Sequence, residues 1–180
     1  MAFDKSLRIG AANVMMDAYG GNFASPTDLG DTSEEGITIE YSAEKKKTRS
    51  AQNITVKEIF LTSEEMTLKM ALREHLVENI ALGLGHDTSD VVDDAVSTPN
   101  NKSVEFGGRR TLPIKAFQMK VPQPTTPTLF DIITIYRGQL SAKFGQTYTY
   151  QGERYIELEI ECLGDSANSG KLGKFVSEYA

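Results

Sequence analysis

The stretch RYIELEIECLG, residues 154–164, alternates apolar and acidic side chains without a break. Tyr155, Glu157, Glu159 and Glu161 fall on one parity, and Ile156, Leu158, Ile160 and Cys162 on the other. Successive side chains of a β-strand point to opposite faces, so this segment makes a strand with one dry side and one charged side. Carboxylates two residues apart on a strand stand roughly 7 Å apart. At that distance they repel by about 0.6 kcal/mol in bulk water and about 2.4 kcal/mol at an effective dielectric of 20. Three in a row are tolerable only where water or cations reach them, so the acidic face is hydrated. The gap also resembles that of paired glycosidase carboxylates, but those flank a cleft, whereas a regular ladder on one flat strand is more simply a wet surface.

Most of the chain is written in the same period. Residues 9–19 form a small-residue strand ended by Gly20-Gly21, and SPTDLGDTSEEG follows as a loop crowded with turn formers. GITIEYS (36–42) alternates Ile37, Ile39 and Tyr41 with Thr38, Glu40 and Ser42. AEKKKTRSAQN is expected as a charged connection, and ITVKEIFL (54–61) as a strand that Glu64-Glu65 turns into MTLKMALR (66–73). Met66, Leu68, Met70 and Leu72 then share a face. Further strands are expected over 111–121, with Phe117, Met119 and Val121 on one side, and over 129–144, apolar on both faces through Ile132–Ile135 as in a covered central strand. Gly138 suggests a bend or bulge there. YTYQGERYIELEIECL reads as a hairpin turning at Gln151-Gly152.

One segment changes period. Leu76, Ile80 and Leu84 are spaced by four, with Val77 and Ala81 beside them, which predicts a helix near 74–84 stopped by Gly83 and Gly85. Residues 87–103 read as an exposed acidic excursion. The fold class is therefore mainly β: a β-sandwich or partly closed barrel of about eight strands with one flanking helix. Residues 1–163 make one domain, and 164–180, polar and glycine-punctuated, make a flexible C-terminal arm that ends in Phe175, Val176 and Tyr179.

Signatures of chemistry are sparse. The two histidines, His75 and His86, are about 16 Å apart on a helix, too wide for a shared metal ion, and are expected to be exposed or capping. The single cysteine, Cys162, lies on the apolar parity and behaves as a small hydrophobe. No glycine pattern cradles phosphate. No enzyme activity, metal or cofactor is expected. A net charge of −6 argues against a sequence-specific nucleic-acid binder, which needs a basic face. The start lacks the apolar core of a signal peptide and no run approaches a membrane span, so a soluble, cytosolically made protein is expected. KKKTR (45–49) makes this acidic molecule dipolar, able to associate with copies of itself, basic loop to acidic face.

At SPTDLGDTSEEGITIEYSAE the chain resembles the tail tube (major tail) proteins of tailed bacteriophages. Those proteins carry, after a first small-residue strand, a loop like Pro26-Thr27-Asp28-Leu29-Gly30-Asp31-Thr32, then a glycine and a strand of the GITIEYS kind. The later order fits too: a strand ending in Leu-x-Met-Ala-Leu-Arg-Glu (68–74), one helix, an outlying loop, then a run of strands. The resemblance spans roughly residues 9–163. It implies a structural virion protein whose hexameric rings stack into a tube through which the genome leaves. The tube is built in the host cytoplasm. The implied partners are other copies of the chain, a tape measure protein, tail terminator and tail-tip or baseplate proteins, a sheath protein in some tails, and genomic DNA in transit without specific binding. Glu157, Glu159 and Glu161 would then face a hydrated, acidic lumen. Lys45, Lys46, Lys47 and Arg49, with Phe175, Val176 and Tyr179, would lie at contacts between subunits and rings. The alternatives are the tube of a phage-derived injection machine (a tailocin or secretion system) and, from another class, a carbohydrate-binding β-sandwich, which the lack of tryptophan disfavours.

Overall fold

A computed structural model describes residues 12–49, 56–96, 99–108, 111–123, 126–141, 144 and 155–179. The expected turn at Gln151-Gly152 lies outside them. Nine strands are present among the described residues: β1 (Asn13–Ala18), β2 (Thr27–Arg49), β3 (Val56–Leu72), β4 (Val92–Asp94), β5 (Asn101–Ser103), β6 (Ile114–Pro122), β7 (Phe130–Leu140), β8 (Ile156–Cys162) and β9 (Gly173–Ser177). The helix α1 (Val77–Gly83) follows β3. The fold is mainly β with one flanking helix, as the period-2 patterning predicts.

The main sheet runs β6-β1-β2-β3-β8-β7-β9, and β6 also pairs with β7. That extra pairing closes β1, β2, β3, β8, β7 and β6 into a ring, every neighbouring pair antiparallel. Its interior holds the residues of one parity from each stave: Val14 and Met16, Leu29, Leu68 and Leu72, Phe117 and Met119, Ile135 and Leu140, Ile156 and Ile160. The acidic stave behaves as its alternation demands, with Ile156, Leu158, Ile160 and Cys162 buried and the glutamates outside. Burial pushes the Cys162 thiol up to about 12, so it stays protonated at neutral pH.

Gly138 is where β7 changes partner and parity. Lys115 pairs with Gly138 but Phe117 pairs with Ile135, so Tyr136 and Arg137 oppose Ala116 alone, a bulge beside the expected glycine. Before it Ile133 and Ile135 point inward; after it Gly138 and Leu140 do. A Cβ on Gly138 would stand 2.8 Å from Ile160 Cγ2 and 2.9 Å from Phe117 Cδ2, so the phenyl ring fills the space a side chain would need. On its other edge β7 pairs first with β9 (131–135) and then with β8 (138–140). Strands β8 and β9 are thus one stave interrupted by an excursion over residues 163–172. Asp165 knits that excursion together: it accepts hydrogen bonds from Tyr19 Oη (2.6 Å), the Ala167 amide (3.0 Å) and Asn168 Nδ2 (2.6 Å). Residues 164–179, expected as a flexible arm, therefore contain a strand docked on β7.

Four other expectations are corrected. Strand β2 begins at Thr27 and runs through the expected loop and the lysine run to Arg49. Glu64 and Glu65 make no turn but sit mid-strand, opposite Ala43 and Ser42. The helix is shorter than 74–84, because Leu76 is extended (φ −92°, ψ 148°) and serves as its N-cap. Its buried residues are Asn79, Ala81, Leu82 and Gly83 rather than the Leu76–Ile80–Leu84 stripe. Asn79 turns inward because its amide donates to the carbonyls of Leu29 and Glu74, both at 3.0 Å, which pins the helix across the end of the barrel. His86 is buried, contrary to expectation, with Nδ1 3.6 Å from Asp90, while His75 is exposed. Beyond the helix the acidic excursion is tied back by Lys115, whose Nζ lies 2.6 Å from Asp87 Oδ2.

Two outcomes follow for stability. Gly138→Ala should lower the unfolding free energy by about 1–3 kcal/mol in urea titration, because Phe117 and Ile160 must yield to the new methyl. For Asp87, burial alone would raise the carboxyl, but Lys115, the Ser89 amide and the Thr88 hydroxyl together hold it below its ordinary value. A carboxyl depressed in the folded state stabilises above its unfolded pKa of about 3.9 and loses that contribution as pH falls through the folded value. Asp87→Asn should therefore be less stable than the parent at neutral pH, and the difference should shrink below about pH 4 in pH-dependent denaturation.

Candidate assembly surfaces

Strands β2 and β3 outrun the barrel. β1 pairs with β2 only as far as Asp31, and β8 pairs with β3 only from Met66 onward. Below that level residues 42–49 and 56–65 pair with each other, as a two-stranded ribbon whose outer edges have no strand partner among the described residues. Alternate residues of each strand exchange backbone hydrogen bonds with the other and the rest turn theirs outward to water, so a polar sequence is enough to keep the ribbon extended. That is why the lysine run is strand rather than loop.

At its tip Lys45 faces Leu61, Lys46 faces Phe60 and Lys47 faces Ile59. Cross-strand partners share a face, so one side carries Lys45, Lys47, Ile59 and Leu61 and the other Lys46 and Phe60. All three lysines are exposed. Ile59, Phe60 and Leu61 are 57%, 51% and 56% exposed, three large apolar side chains in a row on an unpaired ribbon. Large apolar side chains exposed on both faces of one ribbon tip mark it as a candidate interaction surface. The sequence carried the signal, since Ile59-Phe60-Leu61 cannot all point to one side of a strand, but only the position of the ribbon shows that neither side meets a core.

The acidic stave forms a second surface. Glu157 and Glu161 are exposed and Glu159 is half-buried, opposite Ala71, Thr67 and Lys69 of β3 respectively. Lys69 Nζ lies 2.8 Å from Glu40 Oε2, and the hydrogen bond to Glu40, with the nearby Glu159 charge, holds the ammonium above its usual range. The ladder is therefore acidic in sum but carries one cation at its centre. Beside it lies a depression of about 310 Å³ lined by Ser33, Gly36, Thr38, Lys69, Ala71, Glu157 and Glu159, among others. It exists because Ser33–Gly36 bulge out of β2: Thr32 pairs with Leu72 and Ile37 with Met70, leaving four residues against Ala71 alone. Gly36 makes that detour at φ 71°, a conformation that costs other residues more.

The third surface is the seam where the ribbon leaves the barrel. Strand β3 does not pair with β9, and a groove of about 410 Å³ opens between Ile39, Tyr41 and Met66 of β2 and β3 and Leu172 and Phe175 on the other wall, over Ile133. Phe175 and Tyr179 are exposed and Val176 is half-buried. The candidate contact residues are thus not brought to one place: the lysines lie at the ribbon tip, Phe175 at the groove, Tyr179 beyond β9. The side chain of Arg49 lies outside the description. Among the described residues no three His, Cys, Asp or Glu side chains converge as metal ligands would, and no helix is long and apolar enough to cross a membrane.

A scan against protein-family models finds no match, and a search of curated proteins finds none. Among solved structures, the chain is similar to one from the six-fold symmetrised cryo-electron microscopy structure of the anti-feeding prophage (AFP) baseplate. The TM-score is 0.47 at 8% identity, with 98% of this chain and 97% of that chain covered. A TM-score below 0.5 at such identity falls short of establishing a common fold, and nothing about function follows from it.

Proposed function

We propose that the protein is a non-enzymatic structural subunit that assembles with copies of itself into hexameric rings, stacked as the tube of a phage tail or of a phage-derived injection machine. The observation that carries this reading is the β2–β3 ribbon, a two-stranded arm whose edges have no strand partner among the described residues, with Ile59, Phe60 and Leu61 exposed at its tip. Unprotected edges on a long ribbon are a hazard for a solitary protein and a pairing template for an assembling one. The open edge of β9 and the apolar seam groove offer matching sites on the barrel. The resemblance to tail tube proteins, seen at residues 25–44 and in the order of elements over roughly 9–163, supplies the class of assembly. Tape measure, terminator, baseplate and sheath proteins are the partners such a tube requires, and DNA passes through it without specific contacts. Within a tube the acidic stave either lines the lumen bare or meets a neighbouring copy.

Electron microscopy of the purified chain across a concentration series tests the reading. Rings or tubes several subunits wide are the expected outcome. A chain that stays monomeric at high concentration, by sedimentation and by microscopy, would overturn it.

A further inference from the structure

The two faces of the β2–β3 ribbon differ in charge and in polarity. Cross-strand pairing puts Tyr41 with Met66, Ala43 with Glu64, Lys45 with Leu61 and Lys47 with Ile59, and this face continues the barrel interior. Its far end therefore joins two ammonium groups to two exposed apolar side chains, while the carboxylate on this face, Glu64, lies nearer the barrel beside Tyr41. The opposite face carries Glu40, Glu44, Glu58 and Glu65 with Phe60, Lys46 and Lys69, and across β8 it runs on into Glu157, Glu159 and Glu161. One sheet cannot lay its inner face on its own outer face. We propose that the ribbon of one copy lies along the acidic stave of a second copy, with Lys45 and Lys47 on carboxylates of β8 and Ile59 and Leu61 over the depression beside it. The proposal rests on the self-assembly reading above and names the two surfaces that meet.

Charge selects this face of the ribbon for this wall of the barrel. On the wall Glu40, Glu157, Glu159 and Glu161 outnumber Lys69, whose ammonium is already held by Glu40 at 2.8 Å. The seam groove, by contrast, is flanked by Lys171 and Lys174 against Glu64 alone, like charges to the ribbon's. Period sets the alignment. Lys45 and Lys47 are two residues apart on their strand, as successive glutamates are on β8, so both rows repeat at roughly 7 Å and match in aligned sheet packing. Strand spacing is also common to both layers. With β2 of the ribbon over β8, its β3 lies over β3 of the second copy, where Gly36, Thr38 and Ala71 flank a hollow of about 310 Å³ backed by Met70 and Leu158. Ser33 points independently to a ligand there. It lines the depression, is 3% exposed, and its Oγ has no hydrogen-bond partner. Buried hydroxyls are rarely left so, and a lysine ammonium brings three donors. Because the two surfaces differ, the contact is heterologous: each copy offers a ribbon to one neighbour and a stave to another, which propagates into rings or filaments. On this assignment the stave is covered by protein rather than bare to a lumen.

Mixing two charge-reversed chains tests the pairing. Lys45→Glu/Lys47→Glu and Glu157→Lys/Glu161→Lys alter exposed positions only, so each should keep the circular dichroism spectrum and urea midpoint of the parent. Each alone should need at least about tenfold more protein to assemble, as like charges meet. An equimolar mixture of the two should assemble near the parent concentration. There the reversed ribbon of one chain fits the reversed stave of the other, and the remaining ribbon and stave match as in the parent. Leu61→Ser should weaken assembly without moving the urea midpoint. Normal assembly of either charge variant by itself, or of Leu61→Ser, would overturn the docking while leaving the tube reading intact. So would a mixture that stays blocked, since ribbon and stave would then meet different partners. A parent chain that never assembles overturns both.

Discussion

The contact on which the rest of the molecule depends is the closure of the ring through β6. Held between β1 and β7, this strand turns an open sheet into a barrel and removes the edges that β1 and β7 would otherwise expose. Closure demands that β7 change both partner and parity in mid-strand, and the demand is met by one bulge and one glycine. Phe117 enters the barrel where Gly138 has no side chain, and the bulge at Tyr136–Arg137 lets the two halves of β7 both point apolar residues inward. The helix then closes the barrel end, pinned by a single buried amide, Asn79. A stable barrel frees the remaining strand length for another use.

That remaining length is the ribbon. Outside the barrel, β2 and β3 bury nothing in a core, and their mutual hydrogen bonds alone maintain the extended shape. Two-stranded ribbons without a packed face are marginal by themselves. Here the ribbon is continuous with staves locked in the barrel, which aligns its base. The residues that hold the barrel together lie inside the ring, and the exposed apolar residues Ile59, Phe60 and Leu61 lie beyond it.

How far the sequence discloses this depends on whether a segment is half-buried. Alternation marks β8, the end of β3 and β6 because one face of each meets the core and the other meets water. It fails for residues 27–32 and 43–49, where extended backbone is held by cross-strand pairing that no side-chain period records. The lysine run was legible as a charge feature but not as strand, and Ile59-Phe60-Leu61 was legible as strand but not as surface. The helix was found by its period, yet its buried face was missed. The polar Asn79 points inward to bind carbonyls from Leu29 and Glu74, and Leu29 is fifty residues away in sequence. The last residues looked too polar to order, but Asp165 gathers Tyr19, Ala167 and Asn168 around one carboxylate and sets the chain onto β7. Compositional signals register apolar burial, and this segment is held by polar contacts instead.

The ribbon also carries a small irregularity with a large reach. Glu44 pairs with Ser63 but Lys45 pairs with Leu61, so Thr62 is an extra residue on β3 just before the tip. A strand shifted by one residue exchanges its two faces. Thr62 therefore acts as a phase setting: it determines that Phe60 travels with Lys46, while Ile59 and Leu61 travel with Lys45 and Lys47. A ribbon that paired Thr62 with Lys45 instead of bulging it would keep the same composition, the same barrel and the same arm to within one residue. It would nonetheless present Leu61 where Phe60 now stands beside Lys46. What the tip displays on each face is thus specified by counting, through one bulged residue, as much as by the chemistry of its side chains.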